Sequence, residues 1–161
     1  MRSSRLLALA ALVVPTALGV ATFASPASAA PAKASEQSLQ ADIVRLTNAQ
    51  RTAKGCAAAT VDAQLTTAAR GHSTWMAQTG TFSHTGRDGT NFVARAKAAG
   101  YARPSSENIA WGYRSAAEVV DGWMKSPGHR ANILNCKSKT VGVGAAYNAK
   151  GNAYYTQVFG F

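Results

Sequence analysis

The chain changes from helical to β periodicity in its last part, and this change constrains the fold more than any other feature. Residues 140–147 and 153–159 are rich in β-forming residues, and the segment NAKGN separates them, which predicts a β-hairpin. Residues 108–113 predict a further strand. Earlier and between these strands, apolar residues recur at helical spacing in residues 38–53, 63–78, 91–99 and 115–125. Helices that precede a hairpin indicate an α+β sandwich.

One face of the first hairpin strand is made of very small residues. Gly142 and Gly144 alternate with Val141 and Val143, so the glycines point to one face and the valines to the other. We therefore expect a helix to pack closely against the glycine face. Gly71, inside the predicted second helix, costs helix stability and indicates another place where a backbone approaches closely.

A carboxylate stands at the head of an apolar, aromatic run. Glu107 precedes the predicted strand 108–113 and shares a face with its alternate residues, Ile109, Trp111 and Tyr113. Burying a carboxylate is costly unless it is paired or hydrogen-bonded. We therefore expect Glu107 to have a partner, and we expect the segment that follows it to hold the functional site.

Residues 1–29 have the features of a secretory signal peptide. Two arginines precede an apolar segment without charges, and Ala27-Ser28-Ala29 forms a small-residue cleavage signature. An uncleaved membrane anchor is the alternative, which Pro15 and Gly19 within the apolar segment disfavour. No later stretch has the roughly 18 apolar residues of a membrane span, so we expect no transmembrane anchor after cleavage.

The rest of the chain is predicted to be a flexible leader, residues 30–37, and one domain, residues 38–161. The formal net charge is +10 and falls by two when Arg2 and Arg5 leave with the signal peptide. A basic exported protein suits anionic envelope polymers or acidic lipid headgroups. Nucleic acid is disfavoured as a partner, because the basic residues are scattered singly and are not interleaved with aromatic residues.

The chain contains two cysteines, Cys56 and Cys136. Because export to an oxidising compartment makes a disulfide the default, we expect the two to be bonded to each other. The alternative is a pair of reactive thiols.

The candidates for a metal or acid–base site are five ionisable residues: His72, His84, Glu107, Glu118 and His129. Their spacings match no local metal-ligand motif, and there is no GxSxG nucleophile motif. His72 lies on the apolar face of the predicted second helix, which favours a packed histidine. Glu118 follows Ser115 by three residues, which indicates a capping box in which Glu118 bonds the Ser115 amide. The alternative for His84 and His129 is simple exposure to solvent.

Five motifs occur in order along the chain: FSHTGRDG, ENIAWGY, AEVVDGWMKSPGHRANIL, VGVGAAYN and YYTQVFG. Together they resemble the CAP domain superfamily (cysteine-rich secretory proteins, antigen 5 and pathogenesis-related 1; SCP-like), and more narrowly its compact secreted bacterial branch. The resemblance covers about residues 39–161. The multi-cysteine pattern and cysteine-rich extension of the eukaryotic members are missing, so functions tied to those parts do not transfer.

The resemblance implies an α-β-α sandwich with a central, mainly antiparallel sheet. It also implies a cleft lined by two histidines and two glutamates, which correspond here to His84 in FSH, Glu107 in ENIA, Glu118 in AEVVDGW and His129 in PGHRANIL. His72 is not one of the four. Asn108, beside Glu107, belongs to the same motif and is expected to orient the backbone at the cleft.

Three functions of different class are compatible with these residues. The first is a secreted, extracellular binding module whose cleft takes a lipid, a sterol or an anionic cell-envelope component, with Zn²⁺ held by His84 and His129 as the candidate cofactor. The second is a hydrolase that uses zinc-bound water or a base, Glu107 or Glu118. The third is a structural or interaction protein with a non-functional cleft. We favour the binding module, because two histidines are fewer than the three protein ligands of usual catalytic zinc sites.

Overall fold

The computed structural model describes residues 33–161, so the predicted signal peptide and the first part of the predicted leader lie outside the described residues. The elements in this range are α1 Glu36–Ala53, β1 Thr60–Val61, α2 Ala63–Thr79, a 3-10 turn Arg87–Gly89, α3 Phe92–Ala98, β2 Pro104–Trp111, α4 Ala116–Lys125, α5 Pro127–Ile133, β3 Thr140–Tyr147 and β4 Ala153–Gly160. None of these helices is long and apolar enough to cross a membrane.

The four strands form one sheet in the order β1-β3-β4-β2. The predicted hairpin is confirmed, because β3 and β4 pair antiparallel along their whole length. β2 pairs antiparallel with the other side of β4, which leaves β2 at an edge of the sheet. β1 runs parallel to β3 and was not predicted, since two residues are too few to show a period.

Helices cover both faces of the sheet, so the α-β-α sandwich that the resemblance implied is confirmed. The main core lies on one face, where α1, α4 and α5 pack over Val141, Val143, Tyr155 and Phe159. On the opposite face, α2 and α3 pack over the sheet around Val158. Because successive side chains of a strand point to opposite faces of the sheet, the same strands contribute side chains to both cores.

Side-chain caps determine where the helices begin. The Asp62 carboxylate accepts a hydrogen bond from the Leu65 amide at 2.8 Å at the start of α2. Ser35 accepts from the Ser38 amide at 3.0 Å at the start of α1. Because Ser35 is this cap, α1 begins at Glu36, and the predicted leader 30–37 and helix start at residue 38 were wrong by two residues.

The predicted bounds of β2 were also wrong, since the strand spans Pro104–Trp111 rather than residues 108–113. It ends at Trp111 because Gly112 turns the chain with a φ of 80°, in the left-handed region that favours glycine. Its first residues are part of the strand because they pair with the end of β4. These residues show no apolar alternation of their own, so the sequence did not predict this part of the strand.

The prediction of a close approach at the glycine face of β3 is confirmed. A Cβ atom at Gly142 would collide with the backbone of Leu65 and Thr66 in α2, and one at Gly144 with the backbone of Ala69 and Arg70. Because glycine has no Cβ atom, these two positions allow α2 to lie closely against the sheet. The same expectation for Gly71 was wrong, because nothing in the described residues lies within 4 Å of a Cβ placed there.

We expect Gly144→Ala to lower the free energy of unfolding by about 2–3 kcal/mol, because α2 must move away from β3. Gly71→Ala is the matched control in α2 itself, and it should raise the free energy of unfolding by up to about 1 kcal/mol through helix propensity. Urea denaturation of both variants measures the difference. Equal effects of the two substitutions would contradict the close approach seen at Gly144.

The end of α1 is fastened to the segment after α5. Cys56 and Cys136 form the expected disulfide. The Arg51 side chain is fully buried, and its guanidinium donates to the carbonyl oxygens of Ile133 and Ser138, both at 2.7 Å. A covalent bond and a buried cation therefore hold the same two segments together.

Candidate functional site

Two of the five functional-site candidates, His84 and Glu107, meet at the free edge of β2. His84, in the loop after α2, places its Nδ1 atom 2.9 Å from Glu107 Oε1. The Glu107 side chain is only 1% exposed, whereas the His84 side chain is 58% exposed. Glu107 thus has the partner that its burial requires, and the imidazole covers the carboxylate while presenting its other edge to solvent.

Arg95 of α3 completes this arrangement and was missed by the sequence analysis. Its guanidinium donates to Glu107 Oε2 at 2.6 Å and to the carbonyl oxygens of His84 at 3.1 Å and Thr90 at 2.7 Å. Arg95 therefore neutralises the buried carboxylate and holds the histidine loop in place. Its position beside the apolar Ala96, in the middle of a short helix, is the signal that could have found it.

His129 enters the site from the opposite helical layer, on α5. The Asn108 side-chain amide donates to the His129 carbonyl oxygen at 3.2 Å. Asn132, one turn further along α5, donates to the Glu107 carbonyl oxygen at 3.2 Å and to Asn108 Oδ1 at 2.8 Å. These amide contacts lock α5 to the edge strand and so position the His129 imidazole beside the cleft.

The charge of His84 lies close enough to His129 to affect its titration. Burial lowers the pKa of His129 below its usual value, and the nearby charge of His84 lowers it further. A neutral His129 can donate one hydrogen bond and accept another, or can offer a lone pair to a metal.

Glu118 is not brought together with these residues. Its carboxylate is exposed and accepts a hydrogen bond from the Arg114 amide at 2.9 Å, while the Glu118 amide donates to Ser115 Oγ at 3.2 Å. The helix-capping interpretation is therefore the one that the structure supports, although the amide bonded is that of Arg114 rather than Ser115. The cleft thus contains one of the two implied glutamates.

His72 has the packed position that its apolar face predicted. It is 1% exposed, its Nε2 atom lies 2.9 Å from the Ser83 carbonyl oxygen, and its ring stacks on Trp75. Burial lowers the pKa of His72, and the charge of Arg95 lowers it further.

This burial predicts how stability depends on pH. Because the folded-state pKa of His72 lies below its unfolded value, the unfolded chain binds a proton first as the pH falls below about 6.5. The free energy of unfolding should therefore decrease from pH 7 to pH 5, and the decrease should be smaller in His72→Gln. Urea denaturation at a series of pH values measures both slopes. Identical slopes in the parent and the variant would exclude His72 as a cause.

Two pockets are lined by residues of β2, and together we call them the cleft along β2. A pocket of about 370 Å³ contains His84, Glu107 and Asn132. The second, about 300 Å³, we call the aromatic groove, and its principal lining residues are Phe82, Trp111, Tyr113, Trp123, Ser126 and His129. A larger cavity of about 530 Å³ between α2 and α3 shares Arg95 with this region but includes none of the three cleft residues His84, Glu107 and His129.

The aromatic residues of the groove are the other part of the site that the sequence analysis did not assign. Phe82, Trp111 and Tyr113 are 47%, 49% and 37% exposed. Exposed aromatic rings that converge on one concave surface mark a binding site more often than a packing surface. The sequence placed Trp111 and Tyr113 on the face of Glu107, but it could not show that Phe82 approaches them from a distant loop.

The cleft offers two imidazoles, those of His84 and His129, as possible metal donors. Both carboxylate oxygens of Glu107 are occupied, one by His84 and one by Arg95. Because Glu107 bonds Nδ1 of His84, the Nε2 atom of that ring remains free to coordinate an ion. Within residues 33–161 no group of three or more His, Cys, Asp or Glu side chains could hold a metal ion.

Two bacterial proteins are similar to this chain in sequence. Protein YkwD of Bacillus subtilis is 34% identical over 130 residues, which is 80% of this chain and 50% of YkwD. The membrane protein YlbC of the same species is 34% identical over 119 residues, 73% of this chain and 33% of YlbC. The chain therefore spans half or less of the length of these relatives.

Solved structures show the same architecture. An extracellular protein of Bacillus anthracis that contains an SCP domain superposes with a TM-score of 0.70 at 29% identity, over 78% of this chain and 41% of that one. An outer surface protein of Borrelia burgdorferi shares the fold alone, with a TM-score of 0.67 at 19% identity over 73% of this chain and 88% of that one. The sequence profile of the CAP family, described as the cysteine-rich secretory protein family, matches residues 44–159. By this match the chain belongs to the CAP family.

Proposed function

We propose that this protein is an extracellular binding module that recognises a component of the bacterial cell envelope in the cleft along β2. The observation that carries the proposal is that two pockets lie along the same strand, one holding the His84–Glu107 pair and the other holding His129 with the exposed aromatic rings. Ligand sites typically combine such an apolar, aromatic lining with a few placed polar groups. The third candidate function, a cleft that only supports the fold, does not explain why three aromatic rings stay exposed there.

An extracellular location is supported by two independent features. The only two cysteines of the chain form a disulfide, which persists in oxidising compartments and is rare in the cytosol. The Bacillus anthracis protein with the related SCP domain is extracellular. Both agree with the secretory signal peptide that we expect at residues 1–29.

The excess of basic residues in the chain supports an envelope component as the ligand. The chain carries 17 basic and seven acidic residues, and the buried Glu107 is already neutralised by Arg95. A protein with this excess of positive charge is attracted to anionic polymers at low to moderate ionic strength. The charge would hold the protein near the envelope, and the cleft would provide recognition.

The proposal predicts that the protein sediments with isolated bacterial cell walls and that the cleft is responsible. We expect His84→Ala and Trp111→Ala each to reduce the wall-bound fraction by at least about fivefold, since a single well-placed contact contributes about 1 kcal/mol or more. Phe161→Ala, which removes another exposed ring, is the control and should bind like the parent. Unchanged binding of both cleft variants would refute a role of the cleft.

Zinc is part of the proposal as a cofactor of the same cleft. His84 and His129 would hold the ion, and Glu107 would orient His84 through its Nδ1 atom. When bound, the ion would supply a positive charge and Lewis acidity at the cleft.

Titration calorimetry of metal-free protein with Zn²⁺ tests this point. We expect about one ion per chain at neutral pH, no binding in His84→Ala or His129→Ala, and weaker binding as the pH falls through the histidine range. Binding that is unchanged at pH 5 would contradict histidine ligation.

One observation favours the hydrolase as a second candidate. The His84–Glu107 pair fixes the proton on Nδ1 and leaves Nε2 able to accept a proton from an attacking water. Arg95 competes for Glu107 and so lowers its capacity to stabilise a charged imidazole. Release of soluble fragments from peptide or cell-wall substrates, abolished in His84→Gln, would establish hydrolysis. No release by the parent protein, with and without zinc, would exclude it for those substrates.

A further inference from the structure

The lining of the aromatic groove restricts the chemical class of the ligand more than the pocket around His84 does. Its three exposed rings come from separate places in the chain: Phe82 from the loop after α2, Trp111 from the end of β2 and Tyr113 from the turn that follows. They are three of the five large hydrophobic side chains that are exposed within residues 33–161. Exposed aromatic surface is thus concentrated at this one groove.

Two of these rings are held in place by the fold. Trp111 stacks on Tyr154 with 6.1 Å between the ring centroids, so the fold supports one of its faces while about half of the residue stays exposed. The Tyr113 side chain occupies the space above Gly122, where a Cβ atom would collide with it, and Tyr155 donates to the Tyr113 carbonyl oxygen at 2.9 Å. Rings fixed in this way bind without a large loss of side-chain entropy.

The groove also contains two polar side chains. Ser126 and His129 line it together with the aromatic rings, and no carboxylate is among the described residues that line it. A hydroxyl and an imidazole can both donate and accept hydrogen bonds. The groove therefore offers flat apolar surfaces together with donors and acceptors at their edges.

The size and openness of the groove discriminate between ligand classes. A sterol or an acyl chain is bound stably only when most of its apolar surface is buried, and a groove of about 300 Å³ with rings that are 37–49% exposed does not enclose one. A pyranose ring has apolar C–H faces and hydroxyl groups around its rim. Such a ring can stack on an open aromatic face while its hydroxyls reach polar neighbours.

We propose that the aromatic groove binds a saccharide chain, with pyranose rings stacked on Trp111 and Tyr113 and hydroxyl groups bonded to His129 and Ser126. This inference rests on the proposed function, because it names the class of envelope component that the cleft takes. Phe82 closes the groove from the loop that also carries His84. A chain of sugars can lie along β2 and reach the His84 pocket as well.

The test uses soluble glycan strands released from purified peptidoglycan, together with oligosaccharides of N-acetylglucosamine. Binding should change the fluorescence of the exposed Trp111, and calorimetry should give the affinity. We expect Trp111→Ala and Tyr113→Ala each to weaken glycan binding by about tenfold, because each removes one stacked aromatic contact. Phe161→Ala should leave it unchanged, and thermal unfolding confirms that each variant is folded.

A parallel measurement with phosphatidylglycerol vesicles separates this inference from the proposed function. Glycan binding that depends on Trp111 and Tyr113, with no such dependence for vesicles, would support the saccharide. Vesicle binding that depends on the two rings, with no glycan binding, would overturn the saccharide inference but leave the binding module intact. Wall binding that is indifferent to every cleft variant would overturn both.

Discussion

Replacement of Arg51 by methionine is expected to lower the free energy of unfolding by about 4 kcal/mol. The guanidinium is buried, and its partners within residues 33–161 are backbone carbonyl oxygens rather than carboxylates, those of Ala57, Ile133, Asn135 and Ser138. Its burial lowers the pKa of Arg51, but the group remains charged because an arginine pKa starts so high. Without it, these four carbonyls lose a charged donor and the turn after α5 loses its anchor.

Arg45→Met provides a matched control in the same helix. Arg45 is exposed and paired with Asp42 only at the surface, at 3.1 Å, so its replacement should change the free energy of unfolding by less than about 0.5 kcal/mol. Urea denaturation of both variants gives the comparison. A similar small effect at Arg51 would mean that water satisfies those carbonyls as well as the guanidinium does.

Removal of the disulfide by Cys56→Ala with Cys136→Ala is the second change with a large expected effect. The bond closes a loop with a sequence separation of 80, and the chain-entropy model gives a stabilisation of about 4 kcal/mol for a loop of this length. Chemical unfolding of the double variant, and of the parent after reduction, should agree in the size of the loss. A loss below about 1 kcal/mol in both would contradict that estimate.

The disulfide and Arg51 should also be coupled. Cys136 lies between Asn135 and Ser138, whose carbonyl oxygens bond the Arg51 guanidinium, so both devices hold the same turn. Neighbouring changes that act on one segment are not additive. The triple variant should therefore lose less stability than the sum of the two separate losses, which a double-mutant cycle measures directly.

Much of the fold could be predicted because its signals are local. Asp62, Asn91 and Ser115 each cap a helix with a side chain that lies within three residues of the amide it bonds, and the hairpin turn separates two adjacent strands. The glycine alternation in β3 predicted the close approach of a helix, although not which helix it would be. The two-residue strand β1 and the first half of β2 could not be predicted, because their pairing partners are far away in the sequence.

The site could be predicted only in part, because some of its contacts join residues that are far apart in the sequence. His84, Glu107 and His129 follow from family motifs, but Arg95 contributes through contacts with Glu107 and with loop carbonyls that no periodicity reveals. Glu118 illustrates the opposite case. The local capping pattern described its contacts in the structure better than the motif correspondence did, because a helix start already satisfies both its amide and its carboxylate.

The most direct test of ligand binding in the cleft is a chemical-shift map of isotopically labelled protein on addition of soluble peptidoglycan glycan strands. We expect the largest changes at the indole N–H of Trp111, at the imidazoles of His84 and His129, and at the amides around Phe82 and Tyr113. Changes centred on the cavity between α2 and α3, or the absence of changes at millimolar glycan, would contradict binding of such a ligand along β2.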